Sequence, residues 1–362
     1  MPIPHDIVER LRVQLQTSAP DIPGAVASIA YQCGNDRDAG IIGRQPETSA
    51  SSAGVDSRFL VMSITKSLTA VAVLRLVEAG KLELDGPLSR WMPKIPHASG
   101  ITVRQCLQHT SGLPDYGPLK SYHEAVRRGD RPWTLDEFLK ETHADELLFE
   151  PGLGWSYSNI GYMLLRRMIE QAGNRSFAET IAVEVCRPLA LEHTAVIESQ
   201  ADLSHLIPGY SRALAEIGSP EVDVRTRYDP AWIATGVVAS TAVEIVQFYR
   251  GLFSGGLLSP ASFQEMCRIR RAVATHPRYT TPSYGLGLMA DPDWPCGAMH
   301  GHNGAGPGYS ASAFHVQPFP NDSSRNVTVA VLCNMENTDQ TESMMLTLAE
   351  TLTGGRSNGD RS

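Results

Sequence analysis

The sequence predicts an α/β protein in which strands from both ends of the chain form one sheet, with a mainly helical lobe inserted between them. Strand-like segments occur near the start, at 25–32 and 41–42, and near the end, at 309–317 and 327–333. The long stretch between them, 82–256, has the pattern of helices and loops. We expect a catalytic cleft between the two lobes.

The first segment begins with an amphipathic helix and continues into a hairpin. Within 5–16, apolar residues recur at helical spacing: Ile7, Val8, Leu11 and Leu15. Residues 34–36, Gly-Asn-Asp, predict a tight turn after the first strand, so the second strand is expected to pair back against it.

A nearly continuous apolar helix is predicted over 63–79, with Gly80 as its C-terminal cap. Further along, two pairs of residues have the spacing of capping boxes that open helices: Ser176 with Glu179, and Thr241 with Glu244.

At the end of the chain, a turn at 318–325 joins the last two strands, and a closing helix is predicted over 341–353. The polar tail 355–362 is predicted to be disordered. The resulting division assigns the sheet lobe to 1–58 and 257–354 and the helical lobe to 59–256.

Composition excludes several classes of function. The chain has 362 residues and a formal charge of −8, without the basic run that binds nucleic acid. It also lacks a leader-like start and an apolar run of about 18 to 20 residues, which predicts a cytoplasmic protein with no membrane segment. The six cysteines are scattered, which favours reduced thiols over disulfides or a zinc site.

Ser63 and Lys66 stand three residues apart at the start of the apolar helix, so both side chains are expected on one face. A serine hydroxyl becomes nucleophilic when a neighbouring base takes its proton, and burial favours the neutral amine. The helix N-terminus adds amide donors for a developing oxyanion. The alternative is a serine cap beside a solvated lysine.

Tyr157 and Asn159 are predicted on a loop that enters a helix over 160–172. A phenol close to an ammonium group ionises more readily and can then accept or relay the serine proton. Asn159 can both donate to and accept from a substrate amide. The alternative is that Tyr157 fills the core and Asn159 caps the helix.

His302, Asn303 and Gly304 lie in a glycine-rich segment, 301–308, just before the predicted strand at Tyr309. Glycine lets a backbone N–H approach a bound carbonyl closely. The N–H of Ala305 could therefore complete an oxyanion hole with that of Ser63. A metal site is the alternative, but His300 and His302 lack nearby ligands at a recognisable spacing.

Together, Ser63-x-x-Lys66, Tyr157-x-Asn159 and His302-x-Gly304 resemble the three motifs of the penicillin-binding-protein and class C β-lactamase superfamily of serine hydrolases. The resemblance covers roughly 25–352. The flanking phrases agree as well: FLVMSITKS from 59, LQHTSGLP from 107, FEPG from 149, GWSYSN from 154 and GHNGAGPGY from 301.

The resemblance implies a β-lactamase-like fold: an antiparallel sheet flanked by helices, beside a helical lobe. It implies that Ser63 is the nucleophile, that Lys66 and Tyr157 are the general-base pair, and that Asn159 contacts the substrate. The backbone amides of Ser63 and Ala305 would form the oxyanion hole, with His302, Asn303 and Gly304 also at the substrate. No metal or organic cofactor is implied.

One departure narrows the expected activity. Many members carry Lys-Thr-Gly as the third motif, whereas this chain has no lysine after Lys140 and places His302 there. A lysine at this position gives a substrate carboxylate a permanent positive charge, whereas a histidine is mostly neutral near pH 7 and does not. Efficient β-lactam hydrolysis is therefore not expected. His-x-Gly resembles the D-aminopeptidase, alkaline D-peptidase and D-alanyl-D-alanine carboxypeptidase branch, and the expected intracellular, single-unit layout also resembles D-amino acid amidase.

Three functions compete at this point. The first is hydrolysis of a small amide, peptide or ester, plausibly containing a D-residue, through an acyl-enzyme on Ser63. The second is acyl transfer to an amine or alcohol, and the third is a non-catalytic β-lactam-binding or sensor module. Oligomeric state and substrate are not determined by the sequence. Loop positions expected to govern specificity are Asp115, Tyr116, Trp155, Trp232 and Tyr309.

A second serine motif is rejected. Gly355-x-Ser357-x-Gly359 matches the nucleophile elbow of α/β-hydrolases, but it lies in the polar tail and follows no buried strand.

Overall fold

A computed structural model describes most of the chain, namely residues 2–18, 22, 24–43, 53–216, 218–272, 275–319 and 325–354. The strands, in chain order, are β1 Val26–Cys33, β2 Asp36–Gly43, β3 Phe59–Leu60, β4 Ala195–Ile197, β5 Tyr210–Ser211, β6 Val222–Asp223, β7 Val237–Ser240, β8 Arg270–Arg271, β9 Ser283–Tyr284, β10 Met289–Asp291, β11 Ala298–Gly306, β12 Tyr309–Gln317 and β13 Val327–Cys333. The helices are α1 His5–Ser18, α2 Thr65–Glu78, α3 Val103–Leu107, α4 Lys120–Arg128, α5 Leu135–Glu141, α6 Asn159–Gly173, α7 Phe177–Ile181, α8 Gln200–Leu203, α9 Ala242–Phe253, α10 Pro260–Met266 and α11 Thr338–Leu352.

The main sheet is antiparallel, in the order β2-β1-β13-β12-β11-β10-β9-β8. Strand β1, from the start of the chain, lies between β2 and β13, with Ala30 opposite both Ala39 and Ala330. The predicted sheet, assembled from both ends of the chain, is therefore confirmed.

Each face of this sheet packs against helices. Ile29 of β1 and Phe314 of β12 belong to the core formed with α1 and α11. Ala30 and Ala313, the adjacent residues on the same strands, belong to the larger core that includes α2 and α6. Because successive side chains of a strand point to opposite faces, the sheet separates two helical layers.

Most predicted elements lie where the sequence placed them. Helix α1 extends two residues past its predicted end, and β12 and β13 match their predicted bounds. Gly34, in the first hairpin turn, has φ +59°, which a glycine adopts without strain. Helix α11 begins one turn earlier than predicted because the Asn337 side chain accepts the Gln340 amide and caps it there.

Three predictions need correction. The glycine-rich segment expected to precede the strand at Tyr309 is itself the strand β11. The stretch 82–256 also contains strands, which at two to four residues are too short to show a period of two. Thr241 caps α9, but the Glu244 carboxylate turns away to the His193 amide and the Thr194 hydroxyl, so this capping box is half formed.

Some predictions fall outside what the structure covers. The tail 355–362 and most of the turn at 318–325 are not among the described residues. The lobe boundaries at 58 and 256 stay predictions. Within the described ranges, no helix is both long enough and apolar enough to cross a bilayer. All six cysteines lie in those ranges and are free thiols.

Candidate active site

Ser63 lies in a 3-10 turn, Met62–Ile64, that leads into α2. Met62 has φ +48°, a left-handed conformation that is strained for a bulky side chain. The turn is pressed against β11, because a Cβ atom on Gly304 would lie 2.5 Å from the Val61 carbonyl oxygen and 3.1 Å from the Ser63 amide nitrogen. Gly304 is therefore required where the strand meets the serine.

Lys66, one turn further on, is almost completely buried, with 2% of its surface exposed. Its Nζ is 3.2 Å from Ser63 Oγ and 2.8 Å from Asn159 Oδ1. Burial lowers the pKa of Lys66 to about 7, although nearby Asp115 opposes the shift. A large fraction of the amine is thus neutral near pH 7 and carries a lone pair that can accept a proton.

Tyr157 approaches Ser63 from the other side, and its hydroxyl donates to Ser63 Oγ at 2.9 Å. Burial raises the pKa of the Tyr157 phenol above its usual value, an effect that the hydrogen bond to Ser63 only partly offsets. The phenol is therefore neutral at rest. This corrects the expectation that an adjacent ammonium group would favour its ionisation, because desolvation is the larger effect.

Tyr157 and Asn159 are held by the start of helix α6. The Ser158 side chain accepts the Gly161 amide and caps the helix. The Asp115 carboxylate accepts the Asn159 amide at 2.9 Å. The cap is thus Ser158, and the Asn159 side chain accepts a hydrogen bond from Lys66. Its contact with a substrate stays a prediction.

His109 fixes the backbone on both sides of Tyr157. Its carbonyl oxygen accepts the Ser156 amide at 3.0 Å, and its Nδ1 accepts the Ser158 amide at 3.1 Å. The ring packs against the Tyr157 ring, with centroids 4.3 Å apart and the ring planes tilted by 35°. Burial lowers the pKa of His109 well below its usual value, which keeps Nδ1 free to accept. The sequence analysis quoted His109 in the phrase from 107 but gave it no role.

Ala305 lines the cleft together with Ser63. The Asn303 amide points away from β12, toward the Met289 sulfur 3.4 Å away. Because backbone N–H groups two residues apart in a strand point to the same edge, the Ala305 amide faces that edge too. The oxyanion hole formed by the Ser63 and Ala305 amides stays a prediction.

The structure gives His302 a supporting position instead of the predicted direct contact with substrate. Its Nδ1 is 2.5 Å from the Asn303 carbonyl oxygen, and its Nε2 is 2.8 Å from the Tyr284 hydroxyl. A carbonyl oxygen only accepts, so Nδ1 carries the proton and Nε2 accepts from Tyr284. Burial and the proximity of Lys66 lower the pKa of His302 to about 3, so the ring is neutral, as expected.

Asn303 is not brought to the cleft, and its predicted side-chain contact with substrate is corrected. Its Nδ2 donates to the Tyr279 hydroxyl at 3.1 Å and to the Glu342 carboxylate at 2.5 Å. Its Oδ1 accepts from the Ser312 hydroxyl. Side chains alternate along β11, so Asn303 faces α11, while His302 and Gly304 face the opposite side, next to Tyr284 and the turn of Ser63.

The cleft itself has a volume of about 380 Å³. Ser63, Lys66 and Asn159 line it together with three tyrosines: Tyr116, Tyr122 and Tyr228. Among the described lining residues, no arginine and no lysine besides Lys66 is present, whereas the Glu336 carboxylate is. The cleft thus offers no permanent cation to a substrate carboxylate.

The other loop positions divide between two places. Trp155 lines a second pocket together with Tyr157. Trp232 and Tyr309 are buried and serve packing, with the Tyr309 hydroxyl donating to the Ile207 carbonyl. Across the described ranges, no three His, Cys, Asp or Glu residues cluster closely enough to hold a metal ion. The absence of a cofactor stays a prediction.

Comparison with known proteins agrees with this geometry. The family model described as Beta-lactamase matches residues 13–351. Penicillin-binding protein 4* of Bacillus subtilis is 28% identical over 314 residues, covering 83% of this chain and 66% of that protein. Esterase EstB of Burkholderia gladioli is 34% identical over 160 residues, covering 41% of this chain and 40% of that protein. The chain thus spans two thirds or less of the length of these curated relatives.

Among solved structures, a D-stereospecific amidohydrolase from Streptomyces sp. is similar throughout. It is 28% identical with a TM-score of 0.79, and the match covers 98% of this chain and 100% of that one. The family match extends over nearly the whole chain and includes all three motifs. The chain therefore belongs to the β-lactamase family, within the penicillin-binding-protein-like superfamily that its motifs resemble.

Proposed function

We propose that this protein hydrolyses a small amide, peptide or ester through an acyl-enzyme on Ser63. The observation that supports this most strongly is the position of Ser63 Oγ, which is 3.2 Å from a buried lysine amine and 2.9 Å from a tyrosine hydroxyl. These distances allow proton transfer in both directions from one hydroxyl.

The proposed reaction begins with proton transfer from Ser63 to neutral Lys66 as Oγ attacks the substrate carbonyl carbon. The amides of Ser63 and Ala305 stabilise the oxyanion. Tyr157 donates its proton to the leaving group and is reprotonated from Lys66, so the amine or alcohol departs neutral. Water then attacks the acyl-enzyme by the same route in reverse, with Lys66 as base.

The substrate class follows from the charges around the cleft. Because His302 is neutral and no permanent cation lines the cleft among the described residues, a substrate that needs a carboxylate anchor is disfavoured. Amides and esters do not need one. The similar Streptomyces structure bears the name of a D-stereospecific amidohydrolase, which supports a D-configured acyl group.

Labelling with a fluorophosphonate followed by peptide mapping tests the nucleophile. We expect label on Ser63, and none in Ser63→Ala. A matched control is Ser67→Ala, one turn later in α2, where the hydroxyl donates to the Gly287 carbonyl and is fully buried. Labelling that persists in Ser63→Ala would refute the assignment.

A substrate panel tests the activity. It contains D- and L-amino acid amides, p-nitrophenyl esters and a chromogenic cephalosporin. We expect ester and D-amide turnover to exceed cephalosporin turnover, and the reverse order would contradict the role given to His302. Product analysis with added amines separates hydrolysis from acyl transfer, and an acyl-enzyme that never turns over would indicate a sensor.

A further inference from the structure

A second cavity, of about 180 Å³, has Tyr157 in its wall and shares none of its described lining residues with the main cleft. Trp155, Tyr157, Tyr279, Tyr284, Met289 and Phe314 form most of its wall. No lysine, arginine, aspartate or glutamate is among its described lining residues. We call this cavity the aromatic pocket.

The neighbouring strands β11 and β10 contribute to the walls of the main cleft and the aromatic pocket, respectively. Ala305 and Gly306 of β11 line the main cleft. Met289, in the wall of the aromatic pocket, contacts the Asn303 amide at 3.4 Å. Asn303 precedes Ala305 by two residues on the same edge, a separation of about 7 Å along a strand.

This arrangement gives the two halves of a substrate different surroundings. A carbonyl oxygen bound by the amides of Ser63 and Ala305 has the main cleft, with Lys66 and Asn159, on one side. Tyr157 hydrogen-bonds Ser63 Oγ, and its ring lies under Lys66 Nζ and forms part of the wall of the aromatic pocket. A leaving group that takes a proton from Tyr157 is therefore next to a residue of the aromatic pocket wall.

The size and polarity of the pocket define what fits. An apolar protein cavity of about 150 Å³ is large enough to bind benzene, so this one accommodates a single aromatic ring. Trp155 Nε1 is buried and has no hydrogen-bond partner within the described residues, so it is available to an acceptor atom on the ring. A carboxylate would lose its hydration here without gaining a cation.

We propose that the aromatic pocket binds the leaving group, and that the preferred substrate is an amide or ester of an aromatic amine or alcohol without a carboxylate. This rests on the proposed function. As Ser63 Oγ bonds to the carbonyl carbon, the carbon–nitrogen or carbon–oxygen bond breaks, and the aromatic amine or alcohol departs with a proton from Tyr157.

Esters that share one acyl group but differ in the alcohol test the assignment. Ethyl, benzyl and carboxymethyl esters are compared by kcat/KM, each divided by its alkaline hydrolysis rate to remove intrinsic reactivity. We expect the benzyl ester to exceed the ethyl ester by about tenfold or more, and the carboxymethyl ester to be the poorest.

Two substitutions that each fill one of the cavities serve as a matched pair. Ala272 lines the aromatic pocket and Ala213 lines the main cleft, and neither belongs to the catalytic group. Ala272→Phe should reduce the benzyl preference to less than about twofold, whereas Ala213→Phe should leave that ratio unchanged even if both rates fall. Fluorophosphonate labelling of Ser63 verifies that each variant is folded, and Ala290→Leu replaces Ala272→Phe if that variant is not.

The failure of this inference differs from failure of the proposed function. A benzyl-to-ethyl ratio near one in the unaltered protein, or a preference that survives Ala272→Phe, overturns the assignment while hydrolysis at Ser63 stands. If no ester is turned over and Ser63 is not labelled, ligand-observed NMR with benzyl alcohol decides on the pocket alone. Binding that Ala272→Phe abolishes supports the pocket, and no binding overturns it.

Discussion

Two buried polar clusters lie on opposite faces of strand β11, and they are paired differently. The cleft cluster comprises Ser63, Lys66, Tyr157 and Asn159. The rear cluster, between β11 and α11, comprises Arg278, Tyr279, Asn303, Ser312 and Glu342. Both are built from hydroxyls, amides and one or more ionisable groups, so composition alone does not distinguish a reactive site from a structural one.

The rear cluster is electrostatically complete. Its carboxylate, Glu342, accepts from Tyr279 and Asn303 and forms an ion pair with Arg278 at 2.8 Å. In the cleft cluster, Lys66 has no carboxylate within 4 Å across the described ranges, and burial lowers its pKa to about 7. A buried base without a charged partner is thus typical of a reactive site, whereas a fully paired polar network stabilises the fold.

The largest expected difference in activity comes from removing one serine hydroxyl from each cluster. Ser63→Ala should lower kcat/KM by about 10⁴-fold or more, because no other group in the cleft cluster can form the acyl-enzyme. Ser312→Ala, which removes a hydrogen bond to Asn303 in the rear cluster, should lower the thermal midpoint and leave kcat/KM within about threefold. Esterase assays and thermal melts check both, and comparable activity losses would break the distinction.

Replacing Lys66 in the cleft cluster and Glu342 in the rear cluster should have opposite effects on the free energy of unfolding. Lys66→Met should lower kcat/KM by about 10³-fold and raise the free energy of unfolding by at least about 1 kcal/mol, because a buried amine with a lowered pKa is destabilising when protonated. Glu342→Ala should lower that free energy by about 3 kcal/mol, because it leaves Arg278 without its main partner.

The stability difference has a defined pH dependence. An unfolded lysine has its ordinary pKa of 10.5, and the folded one is lowered to about 7. The unfolded state therefore binds more protons between these values, so the stability of the unaltered protein rises with pH there. Denaturant unfolding should show the advantage of Lys66→Met shrinking from pH 7 to pH 10, and an advantage that grows would refute the lowered pKa.

A smaller effect is expected from the two asparagines. Asn159→Ala removes the partner of Lys66 Nζ and a predicted substrate contact, so kcat/KM should fall about 10- to 100-fold with little change in the thermal midpoint. Asn303→Ala should do the reverse, because its side chain bonds only to groups of the rear cluster within the described residues. If Asn159→Ala and Asn303→Ala lost activity equally, Asn303 would have to contact the substrate after all.

The rate should also depend on pH. Only neutral Lys66 accepts the serine proton, so kcat/KM should rise about tenfold per pH unit below pH 7 and level off above it. His302 contributes no second limb in this range, since its pKa is lowered to about 3. A stopped-flow or steady-state profile from pH 5 to 9 checks this, and a flat profile would contradict Lys66 as the base.

The sequence predicted the parts of the site that depend on chain separation. Ser63 and Lys66 are three residues apart, which predicts that they share a helix face, and the apolar residues after Ser63 predict that the helix is buried. The sequence could not predict which face of β11 Asn303 occupies, because the glycines in this segment do not have the residue pattern of a strand. The clamp of His109 on Tyr157 was missed because it depends on a positive φ of +60° and on contacts about 48 residues away in sequence.

In the fold, the long periodic elements were predictable and the short ones were not. Strands β12 and β13 are nine and seven residues long, and four of the residues in β13 are β-branched. Strand β3 has two residues and is extended because it pairs with β7, whose Ser240 lies opposite Phe59. Such strands are specified by tertiary contacts that no local pattern records.

The central claim, that Lys66 is a neutral base near pH 7, is open to direct measurement because the chain has only five lysines. Lysine labelled with ¹³C at Cε gives five NMR signals, and Lys66→Met identifies the one from Lys66. The account predicts that this signal titrates near pH 7 while the others titrate near 10. If the Lys66 signal titrated with the rest, the mechanism proposed for Ser63 would be wrong.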